Sequence, residues 1–130
     1  MTPPIALLAA LALAAGLPAT AANAAEAAIV VQRSPLAGFR HYDGRAAWPA
    51  LTVGDPLELV REPDNPYDAN AVRVRWRGHM LGYVPRRENA AVARHLDRGT
   101  VLEARIAALR EHRNRSVRIE FEIVAPLQSP

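Results

Sequence analysis

The chain has 130 residues, enough for one domain and too few for two. It has no cysteine, which excludes disulfides and thiol redox chemistry, and its four histidines form no H-x-H or i, i+4 pair, which argues against a structural zinc site. With 16 basic and 13 acidic residues the net charge is +3, so an anionic partner would be met by a local patch, not a global field.

In chain order, residues 1–25 come first: an Ala/Leu-rich apolar run, uncharged until Glu26, ending in the small-residue triplets Ala19-Thr20-Ala21 and Ala22-Asn23-Ala24. This reads as a cleaved export signal, placing the product in the periplasm or outside the cell with no stable membrane insertion. An uncleaved anchor is the alternative, as is a mis-assigned start with a cytoplasmic product; "MTPP" adds no charged side chain. Residues 26–130 then form the domain.

Ile29–Val31 is a short β-branched run and a candidate first strand. "RAAWPALTVGD" carries Trp48 and Leu51 at helical spacing, predicting a short helical turn broken by Pro49. "PLELVRE" (56–62) reads as a strand, and a dense polar turn, "REPDNPYDAN", follows. "AVRVRWRG" then alternates strictly, with Val72, Val74 and Trp76 inward and Arg73, Arg75 and Arg77 outward. Arg77-Gly78 turns the chain into "HMLGYVP", a hairpin partner. "RRENAAVARHLDRG" (86–99) is the clear helix, with Gly99 as its C′ cap. Residues 100–109 fit a strand better than a helix because Gly99-Thr100 punctuates their start, and 116–124 alternate Val117, Ile119, Phe121 and Ile123 with polar residues. Five to six strands with one or two short helices predict a mainly β fold, a small antiparallel barrel.

In the polar turn, Asp64, Asn65, Asp68 and Asn70 are residues whose side chains bond their own backbone two positions on, while Pro63 and Pro66 fix φ. A rigid turn platform is one reading; a calcium loop lacks the central Gly and terminal Glu it would need. A third reading points Asp68 into a site. All basic residues are arginine, which reflects either codon usage or planar bidentate contacts to phosphate. The stripe of Arg73, Arg75 and Arg77 could pair across the sheet with Glu58, Glu120 and Glu122. Trp48 and Trp76 read as core, and Tyr67 either as a core plug or as part of a site. No Ser/His/Asp, Cys/His or paired-carboxylate set points to an enzyme, and no cofactor is implied.

Taken together, Arg61-Glu62-Pro63, Asn65-Pro66-Tyr67-Asp68, Asn70-Ala71, Gly82-Tyr83 and Arg86, with the upstream segment "GFRHYDG", resemble the HIRAN domain over residues 34–124. That family is found at the N-termini of eukaryotic fork-remodelling helicases and as stand-alone bacterial chains. The resemblance implies an OB-like barrel and a non-catalytic pocket for the 3′ end of single-stranded DNA. By the same resemblance Arg40, His41 and Tyr42 would line that pocket with Tyr42 stacking on a base. Asp68 would accept from the free 3′-hydroxyl, Tyr83 would sit near the terminal nucleotide, and Arg86 would meet a phosphate. These roles are physically coherent: aromatic faces stack on any base, and a carboxylate repels phosphate while accepting from a hydroxyl. His41 stands where a phenol is common, and "EHRNRS" replaces a family aromatic with Arg113 and Arg115, which could grip phosphate instead. The expected partner is single-stranded DNA or another anionic ligand, bound by a monomer. The alternatives are an exported envelope binding or scaffold protein that uses the pocket for another ligand and, more remotely, a metal-dependent hydrolase.

Overall fold

The strict alternation at Val72–Trp76 forms a strand whose inward side chains, Val72, Val74 and Trp76, are all buried. In the computed structural model, which describes residues 28–111 and 118–127, this strand is β3 of six: β1 Ala28–Pro35, β2 Pro56–Arg61, β3 Val72–Trp76, β4 His79–Tyr83, β5 Glu103–Leu109 and β6 Ile119–Pro126. The expected export signal at 1–25 and the hairpin arginines Arg113 and Arg115 lie outside the described residues.

The strands make one antiparallel sheet in the order β1-β6-β5-β2-β3-β4. β2 reaches β5 through two residue pairs, Pro56–Arg105 and Leu57–Ala104, and gives the rest of its length to β3, so the sheet bends there. Its two ends approach each other at Ala37 and Tyr83, where each backbone N–H donates to the other's carbonyl at 3.0 and 2.9 Å. This single bridge leaves the sheet short of a closed ladder, and the fold is the mostly β, OB-like architecture predicted. Gly82 makes the approach possible, because a Cβ at that position would lie 2.2 Å from the Ala37 carbonyl oxygen. At the β3–β4 hairpin both Arg77 (φ 46°) and Gly78 (φ 83°) are left-handed, the conformation a two-residue type I′ turn requires.

Phe121, Ile123, Ile119, Ile106, Leu81 and Leu36 fill the interior with the β3 side chains. Each such burial stabilises by roughly 1.5–3 kcal/mol before entropy is counted. Phe39 packs edge-on to Trp48, over whose ring the Arg118 guanidinium lies at 3.8 Å. The predicted helical turn is present as α1, Gly44–Ala47, running into a 3-10 turn at Trp48–Ala50 around Pro49.

Three sequence expectations shift. The first strand runs over Ala28–Pro35 and not only Ile29–Val31; it is an edge strand pairing along its length with β6 through a bulge, so it lacks clean alternation. The helix, α2, spans Ala90–Asp97, because Arg86–Glu88 forms a separate 3-10 turn and the fully buried Asn89 amide is committed to Asp68. It ends as predicted, with Gly99 left-handed, the Gly99 N–H donating to Leu96 O and the Thr100 N–H to His95 O, a Schellman cap. Arg73, Arg75 and Arg77, finally, make no ion pair with Glu58, Glu120 or Glu122 among the described residues, although Arg75 stands opposite Glu58 in the β2–β3 register. Arg73 binds Glu62, Arg75 donates to Gly78 O, Arg77 lies over the Trp76 ring, and Glu120 and Glu122 are held by Arg33, Arg105 and Arg110.

Candidate nucleic-acid interface

The polar loop between β2 and β3 is a chain of three successive turns. Asn65 N–H donates to Glu62 O, Asp68 N–H to Asn65 O and Ala71 N–H to Asp68 O. Side chains lock each step: Asn65 Oδ1 accepts from the Tyr67 and Asp68 N–H groups at 2.8 and 3.1 Å, and Asp68 Oδ1 accepts from Asn70 N–H at 2.9 Å. These are the Asx-turns that the Asn/Asp spacing predicts.

Two clamps fasten the loop to its surroundings. Arg61 donates from Nη1 to Ala71 O and from Nη2 to Ala69 O, while its Nε and Nη2 grip both oxygens of Asp97 on α2 at 2.8 and 3.2 Å. Asn89, which is 1% exposed, donates its amide to Asp68 Oδ2 at 2.7 Å. The loop is thus held on one side by β2 and on the other by α2.

The surface so fixed lines an open pocket of about 500 Å³, a size typical of small-ligand sites. Its walls are Tyr42, Tyr83, Ala37 and Val84 on one side and Glu62, Asn65, Pro66, Tyr67, Asp68 and Ala71 on the other, with Arg86 at the edge. Tyr42 and Tyr83 meet edge-to-face, ring centroids 5.8 Å apart at 64°. Glu62 is the polar hub: it accepts from Asn65 Nδ2 at 2.6 Å, from the Tyr83 hydroxyl at 3.1 Å and from Arg73 Nε. Burial pushes the Glu62 carboxyl up, but the hydrogen bonds from Asn65, Arg73 and Tyr83 outweigh it and hold the group below the usual carboxylate range. The Tyr83 hydroxyl is raised, first by burial and then by the carboxylate it donates to, so it stays protonated as a donor.

Of the residues the sequence singles out, Tyr42, Asp68, Tyr83 and Arg86 come together around this pocket. Arg40 and His41 sit on the adjoining 3-10 turn, Phe39–His41, exposed and outside the pocket lining; Arg40 Nε points at His41 Nε2 and the His41 ring lies edge-on to Tyr42. Asp68 is no free carboxylate, since each of its oxygens already accepts one internal bond. A carboxylate offers about four lone-pair sites, which leaves two for a ligand. Asp68 is in no ion pair among the described residues, whereas the charge of Glu62 is matched by Arg73.

One pocket residue escapes the sequence reading, and another is decided by its exposure. Glu62 belongs to the motif without a role in it; its position three residues before Asn65, at the start of the first turn, is the available signal. Tyr67 is 83% exposed, which removes the core-plug alternative and sets its ring at the pocket mouth. The signal for Tyr67 is its flanking by Pro66 and Asp68, turn residues that leave no strand to bury a side chain. Among the described residues no group of three His, Asp or Glu side chains is placed to hold a metal ion, and no helix is long and apolar enough to cross a membrane.

The geometry has counterparts among known proteins. Over 66 residues, half of this chain, the helicase-like transcription factors of Mus musculus and Oryctolagus cuniculus are 36% and 35% identical, and the match spans 6% of each of those proteins. A crystal structure of a protein from Lactobacillus plantarum superposes with a TM-score of 0.65 at 30% identity, over 75% of this chain and 94% of the other. The crystal structure of the HIRAN domain of human HLTF shares the fold, with a TM-score of 0.57 at 23% identity over 72% of each chain. The family profile of the HIRAN domain matches residues 29–128, so this chain belongs to the HIRAN domain family, a family of nucleic-acid-binding modules.

Proposed function

We propose that the protein is a non-catalytic module that captures the 3′-hydroxyl end of single-stranded DNA in the Tyr42–Tyr67–Tyr83 pocket. The observation that carries this reading is Asp68: a carboxylate in no ion pair among the described residues, rigidly held between aromatic walls, with Arg86 at the edge. In such a pocket a terminal sugar donates its hydroxyl to the spare lone pairs of Asp68. A phosphate at the same depth would meet the negative charge of Asp68. The neighbouring phosphate belongs at the edge, where Arg86 supplies a cation. The exposed rings of Tyr42 and Tyr67 offer faces to bases of any identity, so binding is governed by the end and not by sequence.

The test is fluorescence anisotropy of the full chain with a linear oligonucleotide and with a circular oligonucleotide of the same sequence. End capture predicts that the circle binds at least about fivefold more weakly, the loss of one stacked base being worth about 1–3 kcal/mol. Equal affinities would rule the reading out.

A further inference from the structure

Across the Asp68–Asn89 hydrogen bond from the pocket lies a second open cleft, of about 420 Å³, lined by Asn70, Ala90, Arg94, Asp97 and Arg98. Pocket and cleft share one partition. Asp68 lines the pocket and Asn70, two residues on, lines the cleft; Asn89 holds Asp68, and Ala90, the next residue, lines the cleft.

The charges in the cleft do not cancel. Asp97 gives both carboxylate oxygens to Arg61, which is itself tied to the loop carbonyls of Ala69 and Ala71. Arg94 and Arg98 are exposed and enter no ion pair among the described residues. They stand four residues apart on α2 and its C-cap, so their guanidinium groups are neighbours and repel. Proximity to the helix C-terminus favours each cation separately, yet it does not require two on one face. An anion between them would turn the repulsion into a binding site, and arginine suits a tetrahedral oxyanion through paired N–H donors.

We propose that this cleft is a second phosphate subsite, taking a backbone phosphodiester of the same DNA strand whose end enters the pocket. It rests on the end-capture reading for its ligand. Asp68 and Asn70 are separated by at most about 7 Å of chain, so a strand leaving the pocket over the loop reaches Arg94 and Arg98 after about two nucleotides. Asn70 then contributes a neutral side chain to the same contact, and Asp97, already bound by Arg61, does not compete.

The experiment uses the full chain and an R94Q/R98Q variant, titrated across a salt series with a dinucleotide and a 12-mer, each with a 3′-hydroxyl, and with a 3′-phosphate 12-mer. For the hydroxyl 12-mer the expected result is about tenfold weaker binding at low salt and a salt slope shallower by about 0.7, the value for one phosphate contact on a single strand. The dinucleotide is expected to bind both proteins within about twofold, because it is too short to reach the cleft. R94K/R98K should restore the slope, which excludes a folding defect. An unchanged slope for the 12-mer, or the same loss with the dinucleotide, overturns the proposal. A reduced slope combined with equal binding of the two 12-mers leaves the subsite standing and removes only the end-capture reading.

Discussion

Replacing Asp68 with alanine tests whether the polar loop is held from below. Asp68 Oδ2 is the partner of the Asn89 amide, which is 1% exposed, so the variant strands a buried donor that water does not reach. An unsatisfied buried polar group costs about 1–3 kcal/mol. Oδ1 also caps the Asn70 N–H, but Asn70 is exposed and that N–H rehydrates, adding no more than about 0.5 kcal/mol. The sum, about 1–3.5 kcal/mol, is a sizeable share of the roughly 5–15 kcal/mol that stabilises a small domain, yet the variant should still fold. Equilibrium urea unfolding reads it as a lower midpoint at unchanged m-value. Asn89→Ala, measured alongside, completes a double-mutant cycle, and the coupling between the two positions should be at least about 1 kcal/mol. A loss below about 0.5 kcal/mol for Asp68→Ala, or strict additivity with Asn89→Ala, would refute the idea that this bond anchors the loop.

Tyr67→Ala should leave stability within about 0.5 kcal/mol, since the ring is 83% exposed, while weakening single-stranded DNA binding by about 1–3 kcal/mol in anisotropy titrations. A stability loss without a binding loss would reverse the assignment. Gly82→Ala drives a Cβ into the Ala37 carbonyl and should cost about 3 kcal/mol or more, seen as a fall in thermal midpoint. An unshifted midpoint would mean that the two ends of the sheet do not meet. Glu62→Gln should cost about 1 kcal/mol at pH 7 through weaker bonds to Asn65, Arg73 and Tyr83. The folded Glu62 titrates below its unfolded value of about 4.3, so its contribution is present above that pH and lost as pH falls through the lowered folded value. The gap between wild type and variant should therefore close in acid, and a gap that stays constant from pH 7 to pH 3 counts against the carboxylate as the hub.

Much of the fold was legible because its strands carry the signal directly. Val72–Trp76 and Ile119–Ile123 alternate, Arg77-Gly78 marks a tight turn and Gly99 caps a helix, all local rules of backbone geometry. The departures arise where tertiary contacts decide. β1 is an edge strand whose pattern is set by β6, and α2 starts late because Asn89 is its N-cap, with a carbonyl that accepts from Ala93 N–H and a side chain that serves the loop. At the site, Asp68 and the Asx-turns follow from residue type and spacing alone. The roles of Glu62 and Arg61 do not, because they depend on Tyr83, Arg73 and Asp97, residues that lie 11 to 36 positions away along the chain. For the same reason the predicted pairing of Arg73 with sheet glutamates failed: the nearest carboxylate belongs to the loop.

In the proposed function the pocket accepts a hydroxyl and refuses a phosphate. The direct measurement is the dissociation constant of the full chain for one oligonucleotide bearing either a 3′-hydroxyl or a 3′-phosphate. A unit charge about 4 Å from Asp68 costs between about 1 and 4 kcal/mol as the effective dielectric falls from that of water to that of a protein surface. The 3′-phosphate form is expected to bind at least about fivefold more weakly, each tenfold being about 1.4 kcal/mol. Equal affinity, or preference for the phosphate, would contradict it.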